Sequence, residues 1–315
     1  MNGPRLLLVA VVIVSSFLLV ISCISLANNQ INEPVGRIAS ISQPNGSYNG
    51  LKNINNPFND PYFDRQWALQ RMPLTSMETT NDQVIVAVLD TGIDVNHEDL
   101  TNKIIESIDF SSSHSINDLN GHGTHIAGII AAERNNGIGI AGVASNVKLL
   151  NVKVAEDNGM VWASSVARGI IWATDRGAQI INLSLAVPSN LSTLKEAVNY
   201  ALDHGVVLVA AAGNFKGTTY PASYDNVISV AAVTPDDMVW SESNDMNFIT
   251  AYAPGVAILS TIPDNKYEFM SGTSMASAYV SAAASQILNQ TSDSNNNGRI
   301  NDEVLSQLKM LFPKP

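Results

Sequence analysis

The sequence predicts an α/β fold, in which helices cover both faces of a mainly parallel, twisted sheet. Three observations support this prediction. Short apolar, β-prone runs alternate along the chain with segments of helical periodicity. Several of these runs, such as residues 84–89, are apolar at every position, which is typical of strands buried on both faces. The length of 315 residues and the hydrophobic share of 45% are sufficient for one large domain.

Residues 1–27 are expected to be a signal peptide or a membrane anchor. An apolar run at residues 6–24 follows Arg5, which is the arrangement of a secretory signal. The small residues at 25–27 fit a signal-peptidase site, whereas residues 20–23 resemble a lipobox, which would leave a lipidated Cys23. The run is also long enough for an uncut anchor that attaches the protein to a membrane. Each alternative predicts export to a secreted or cell-surface location.

The remaining chain divides into a linker and one domain. Residues 28–57 are rich in Asn, Ser, Gly and Pro and are predicted to be a linker or a short pro-segment. Residues 58–315 are expected to form a single domain. Its predicted strands cover residues 84–89, 147–154, 180–185, 206–212 and 227–233. Its predicted helices cover residues 126–132, 164–176, 191–203, 277–288 and 302–311.

The charge and cysteine content exclude several classes of function. Asp and Glu number 28 against 17 Lys and Arg, so the formal net charge is −11. This acidic balance argues against a nucleic-acid partner and favours solubility or cation binding. Cys23 is the only cysteine, so the sequence has neither an intrachain disulfide nor a cysteine-based metal site. We expect the protein to be a monomer.

Three residues with catalytic chemistry lie at the ends of predicted elements. Asp90 ends the first buried strand. Functional residues in such sheets lie at the carboxyl ends of strands. His122 lies between two glycines ahead of a helix, and Ser274 begins a long helix of small residues. A serine at a helix start is usually only an N-cap. Together with a histidine and a buried aspartate, however, it forms the set that hydrolyses peptide bonds.

The order Asp, His, Ser along the chain is that of the subtilases. Residues 88–94, 121–128 and 271–276 resemble the three signature blocks of that family, and the similarity extends over residues 58–315, closest to its thermitase-like branch. The resemblance implies the three-layer subtilisin-like fold and a serine endopeptidase that acts on polypeptides. It also implies that Asn214, after a Gly at a strand end, would form the oxyanion hole with the backbone N–H of Ser274.

The resemblance also identifies where substrate would bind, as an extended strand between two edge segments. One edge and the S1 pocket, which receives the residue before the scissile bond (P1), would be formed by Ser184, Leu185, Ala186, Val187, Ala211, Ala212 and Gly213. The other edge, at residues 158–162, includes Gly159. Ala186 and Val187 stand where the family usually has glycines, and Ala278 and Tyr279 replace the usual Pro and His. We therefore expect narrow or slow cleavage with an apolar P1 residue.

A calcium ion is the cofactor that the resemblance implies. In thermitase-like subtilases a loop after the histidine helix wraps Ca²⁺, and two carboxylates from other segments complete the site. The matching ligands here are the side chains of Asp60, Asp99 and Asn136 and the backbone carbonyls of Glu133, Ile138 and Ile140. Six oxygens that include two carboxylates are a suitable set for this cation.

Other interpretations of these motifs remain open at the level of sequence. Residues 90–92 also match the Asp-Thr-Gly of aspartic proteases, which would need a second Asp90 from a dimer. His122 and His125 could ligate zinc, although no nearby Glu or Cys completes the site. Residues 137–142 fit G-x-G-x-x-G in the wrong structural context, and residues 293–304 imitate only half of an EF-hand loop. Finally, the altered edges would suit a protein that binds peptides without turning them over.

Overall fold

The computed structural model describes residues 34–37, 57–72, 83–290 and 300–315. The chain divides into two compact units, Met1–Pro34 and Val35–Pro315. The predicted signal peptide or anchor, Cys23 and most of the predicted linker lie outside the described residues, as does the start of the half EF-hand motif. No helix within the described ranges is long and apolar enough to cross a membrane.

The second unit is built on a seven-stranded sheet in which every neighbouring pair of strands is parallel. The strand order is β3-β4-β2-β6-β7-β8-β9. Two small sheets, β1 with β5 and the antiparallel pair β10 with β11, accompany it. The eleven strands are β1 (Pro34–Arg37), β2 (Ile85–Asp90), β3 (Ile104–Asp109), β4 (Lys148–Lys153), β5 (Met160–Trp162), β6 (Ile180–Leu183), β7 (Val207–Ala211), β8 (Ile228–Val233), β9 (Ala251–Pro254), β10 (Ile258–Ile262) and β11 (Lys266–Met270).

Six α-helices complete the described part of the chain. The histidine helix is His122–Ala131, and the serine helix is Thr273–Gln290. The other four are Trp67–Gln70, Ala163–Asp175, Ser192–Asp203 and Ile300–Leu311. The predicted strands and helices that lie in the described ranges are all present, with ends shifted by at most two residues except at the histidine and serine helices, each of which begins four residues earlier than predicted.

Side chains along β2 show how the sheet separates two cores. Val86 and Val88 pack into a core that contains the histidine and serine helices. Ala87 and Leu89 point to the opposite face and pack with helices Ala163–Asp175 and Ser192–Asp203. Because successive side chains of a strand alternate between faces, an all-apolar strand fills both cores at once. The result is the predicted three-layer α/β arrangement, with the carboxyl ends of β2, β6 and β7 at one edge.

Candidate active site

The predicted aspartate and histidine are in direct contact. Asp90 is the last residue of β2, and His122 is the first residue of the histidine helix. The imidazole Nδ1 lies 2.8 Å from Asp90 Oδ1, and both side chains are buried. Gly121, which precedes the helix, has φ +98°, a conformation that favours glycine. A buried carboxylate on Nδ1 fixes the ring in the tautomer that leaves Nε2 free to accept a proton.

Asp118 supports this pair and was not among the residues that the sequence predicted. Its buried carboxylate accepts five hydrogen bonds, which come from the backbone N–H groups of Asn120, Gly121 and Thr124 and from the hydroxyls of Thr91 and Thr124. It therefore closes the turn that begins the histidine helix, where a negative charge is also favoured by the helix dipole. The signal in the sequence was an acidic residue just ahead of a helix start.

Lys153, at the end of β4, is a second supporting residue that the sequence did not reveal. Its side chain is fully buried, and its ammonium donates to the carbonyls of Thr91 and Asn117 and to Asp157 Oδ1, at 2.6, 3.1 and 2.6 Å. The backbone N–H of Thr91 donates in turn to Asp90 Oδ1 at 2.7 Å. These bonds fix the turn after Asp90 against the loop that precedes the histidine helix.

Ser274 lies in the first turn of the serine helix, with a side chain that is almost fully buried. Its hydroxyl donates to the carbonyl of Ser184 at 3.1 Å, and within the described residues it makes no hydrogen bond to His122. Below it, Asn182, Ser184, Ser277 and Ser281 form a buried network of side-chain hydrogen bonds between β6 and the helix. Catalytic hydrogen bonds are often long or poorly aligned without substrate, so a nucleophilic role for Ser274 is compatible with this geometry.

Asn214 is held beside the start of the serine helix. Its Oδ1 accepts from the backbone N–H and from the hydroxyl of Thr273, at 2.9 Å each. The same hydroxyl accepts from the backbone N–H of Gly213 at 3.1 Å. Because these bonds use the oxygen of the amide, the Nδ2 group is left on the side of Gly272, 3.2 Å from the place that a Cβ on that glycine would occupy. An amide oriented in this way can donate to an oxygen that develops charge during attack by a serine.

The predicted substrate edges occupy different environments. Ser184 and Leu185, just after β6, are buried, and Ala186 is partly exposed. Val187 is fully buried and pairs with Tyr220 through two backbone hydrogen bonds of 2.8 Å. Across from them, Ala211 and Ala212 are buried, and Gly213 has φ +96°. On the other edge, Gly159 (φ +79°) lies in a tight turn before β5.

Asp60 and Asp99, two of the predicted calcium ligands, are both buried. The pKa of Asp99 is raised to about 6, mainly because the carboxyl is buried and to a smaller extent because of the nearby Asp60, while hydrogen bonds from Ile140, Asn136 and Tyr267 act in the opposite direction. Burial likewise raises the pKa of Asp60. Two carboxylates that disfavour each other's charge are a suitable binding place for a cation.

The remaining predicted ligands have a compatible arrangement. Asn136 bridges the two carboxylates, because its backbone N–H donates to Asp60 and its Nδ2 group donates to Asp99 at 2.8 Å. Within the described ranges, no hydrogen bond is donated to the carbonyls of Glu133, Ile138 and Ile140. These oxygens are therefore available to a cation. The described residues contain no cluster of three or more His, Cys, Asp or Glu side chains that could hold a metal, so any calcium site here depends on amide and carbonyl oxygens.

His125 has a role in the fold that accounts for its position. It is buried, and its Nε2 contacts the carbonyls of Ile258 and Glu268 at 3.1 Å each. Burial lowers its pKa to about 3, so the ring is neutral at ordinary pH. Its bond to the β10–β11 pair connects the histidine helix to the strand that leads into the serine helix.

Comparison with known proteins is consistent with this geometry. The model of the subtilase family matches residues 81–308, well over half of the chain. The chain belongs to this family of serine proteases. Its fold is shared with a protease of Pseudoalteromonas arctica, with a TM-score of 0.72 and 31% identity over 80% of this chain and 91% of that one. The resemblance seen in the sequence is thus confirmed, and so is the fold.

Curated relatives of this subtilase are serine proteases. It is 47% identical to a thermophilic serine proteinase of Bacillus sp. (strain AK1), over 73% of this chain but only 56% of that protein. It is 41% identical to thermitase of Thermoactinomyces vulgaris, over 76% and 88% of the two chains. It is also 42% identical to the major intracellular serine protease of Bacillus subtilis (strain 168), over 71% and 74%. The aspartic-protease interpretation of residues 90–92 has no support among them.

Proposed function

We propose that this subtilase is an exported, calcium-binding serine endopeptidase in which Asp90, His122 and Ser274 form the catalytic triad. The observation that carries the proposal is the buried 2.8 Å contact between His122 Nδ1 and Asp90 Oδ1, at the start of a helix that packs against the serine helix. Ser274 attacks the peptide carbonyl, and His122 Nε2 accepts its proton and later returns it to the leaving amine. Asn214 and the backbone N–H of Ser274 stabilise the oxyanion.

Endopeptidase activity can be tested with a pool of peptides incubated with the domain of residues 58–315 and analysed by mass spectrometry. We expect internal cleavage whose rate increases from acidic towards neutral and alkaline pH, because a general base must be unprotonated to accept the proton of the serine. A second candidate, a peptide-binding protein with little turnover, is favoured by one observation: the hydroxyl of Ser274 donates to Ser184 and not to His122. Peptides that bind but stay intact would support that candidate.

The calcium site is proposed to consist of Asp60, Asp99 and Asn136 with the carbonyls of Glu133, Ile138 and Ile140. The ion would neutralise two buried carboxylates and tie together three segments that are distant in the chain. Without a cation, the raised pKa of Asp99 means that the folded state binds its proton more tightly than the unfolded state does. The contribution of Asp99 to the free energy of unfolding is therefore complete below about pH 4 and is lost as the pH rises through about 6. Calcium would oppose this loss because it favours the ionised carboxylate.

We therefore expect calcium to raise the melting temperature at neutral pH, by about 3–10 °C in saturating calcium relative to chelator. The difference should shrink as the pH falls from about 7 to about 4.5, because Asp99 becomes protonated. Asp99→Asn should remove the difference in melting temperature between calcium and chelator. Asp109→Asn is a matched control, since that carboxylate is satisfied by Ser111 and Ser115. Equal melting curves with calcium and with chelator would contradict the site.

Export is proposed from residues 1–27, followed by a linker or pro-segment at 28–57 and the catalytic domain at 58–315. The acidic charge supports a monomeric protein without nucleic-acid partners. If the signal is cleaved, we expect the exported protein to lack part or all of residues 1–27. If it is a lipoprotein, the protein should carry lipid on Cys23. If the signal is not cleaved, the protein should remain bound to the membrane through residues 6–24. Intact-mass analysis distinguishes these forms. Cytosolic protein that retains Met1 would contradict export.

A further inference from the structure

The space that would receive the P1 side chain is bounded by Gly213 on one wall. Gly213 precedes Asn214 and belongs to the S1 pocket that the subtilase resemblance predicts. Gly213 has φ +96° and no side chain of its own. The room in front of it can be measured by adding a methyl group to its Cα.

Such a methyl would meet three side chains from separate segments. It would lie 3.1 Å from Thr219 Cγ2, 3.5 Å from Ala186 Cβ and 3.7 Å from Phe215 Cε1. The first distance is shorter than an ordinary carbon–carbon contact, and the others are at contact. The gap between Gly213 and the facing side chains is therefore no wider than about one methyl group, and none of these side chains is charged.

The two residues that close this space are rigidly held. Thr219 is fully buried, and its hydroxyl donates to the carbonyl of Ala212 at 2.6 Å, which fixes the rotamer that points Cγ2 towards Gly213. Ala186 cannot retreat easily, because the next residue, Val187, is paired with Tyr220 by two backbone hydrogen bonds. Val187 itself packs into a core and does not face this space.

From this geometry we propose that Thr219, together with Ala186, limits the S1 pocket of this subtilase to glycine and alanine as the P1 residue. The proposal rests on the proposed endopeptidase function and adds its substrate class: polypeptides cleaved after small residues. Small S1 pockets select small P1 side chains in other serine proteases for the same steric reason. Thr219 acts on the substrate side chain by contact and takes no part in the chemical steps.

The test uses peptides that differ only at P1, with Gly, Ala, Val, Leu or Phe. For the wild type we expect kcat/KM with Ala at P1 to exceed that with Leu or Phe by about a hundredfold. Thr219→Ser removes Cγ2 and keeps the hydroxyl, so it should raise the ratio of kcat/KM for Val or Leu to that for Ala by about tenfold. Thr219→Val keeps a methyl at the same place and should not gain activity on Leu. Adding Ala186→Gly to Thr219→Ser should extend the gain to Phe.

The proposal is overturned if the wild type cleaves after Leu or Phe as fast as after Ala, or if a folded Thr219→Ser variant keeps the wild-type P1 profile. Peptidyl phosphonates with Ala or Phe at P1 give the same comparison without turnover, because they report the rate at which Ser274 is modified. If Ser274 reacts but the Phe compound is faster, only the pocket inference fails. If Ser274 reacts with neither compound nor with a simple fluorophosphonate, the proposed function fails and the pocket inference fails with it.

Discussion

Replacing Ser274 with alanine is expected to lower kcat by a factor on the order of 10⁶, which is the loss known for the nucleophile of the related subtilisin. The reason is that no other group described at this site can form the acyl intermediate. Ser184, Ser277 and Ser281 are buried, and their hydroxyls are engaged in the network beneath the nucleophile. Single-turnover and steady-state assays on the best peptide substrate would measure the effect.

The matched control is Ser285→Ala on the same helix. Ser285 is buried, and its hydroxyl donates only to the carbonyl of Ala282 within the described part of the chain. The variant should keep kcat within a fewfold of wild type while it reports any cost of removing a buried hydroxyl from this helix. A Ser274→Ala variant with substantial activity would show that another residue is the nucleophile.

Replacing Asn214 with alanine is expected to lower kcat by about 10²–10³ with little change in KM, a magnitude that belongs to the equivalent donor of subtilisin. The Nδ2 donor would serve an oxygen whose charge develops only in the transition state, so its loss affects the chemical step and not substrate binding. The two bonds from Thr273 to Oδ1 support this role, because they fix the orientation of the amide.

Two variants, Asn214→Leu and Thr273→Val, separate the effect of the Nδ2 donor from the effect of the bonds that orient the amide. The leucine variant keeps the volume and loses the donor, so it should resemble Asn214→Ala in kcat. The valine variant removes one of the two bonds that orient the amide but keeps the backbone bond at 2.9 Å, so its loss should be smaller. A large rise in KM with unchanged kcat in Asn214→Ala would contradict an oxyanion role and indicate ground-state binding.

The sequence predicted β2, β4, β6, β7 and β8 of the central sheet because these segments are rich in apolar residues. It did not predict β1, β3, β5, β9 or the β10–β11 pair. β3 contains Glu106 and Asp109, and β11 contains Lys266 and Glu268, so neither has an apolar run. The strand conformation of β3 depends on its pairing with β4, which lies far along the chain. Propensity in a short window cannot contain that information.

The candidate active site likewise contains residues that the sequence predicted and residues that it did not. The positions of Asp90, His122 and Ser274 could be predicted because each adjoins an element end with a distinctive local sequence. Lys153 and Thr219 could not, since Lys153 bonds to Thr91 and Thr219 closes the same space as Ala186, residues that are distant in the sequence. Asp118 had only the weak local signal of an acidic residue ahead of a helix start. The proposed S1 pocket illustrates the limit of prediction from sequence. The sequence pointed to Ala186 and Val187, whereas the structure has Val187 in a core and Thr219 in front of Gly213.

The central claim is that Asp90, His122 and Ser274 act as one catalytic unit, and covalent labelling by a fluorophosphonate tests it most directly. We predict one label for each chain, located by peptide mapping on Ser274, with a labelling rate that rises towards alkaline pH. His122→Ala should slow that rate by about 10³ or more, because the serine loses its general base. Absence of label, label on another residue, or an unchanged rate in His122→Ala would contradict the triad.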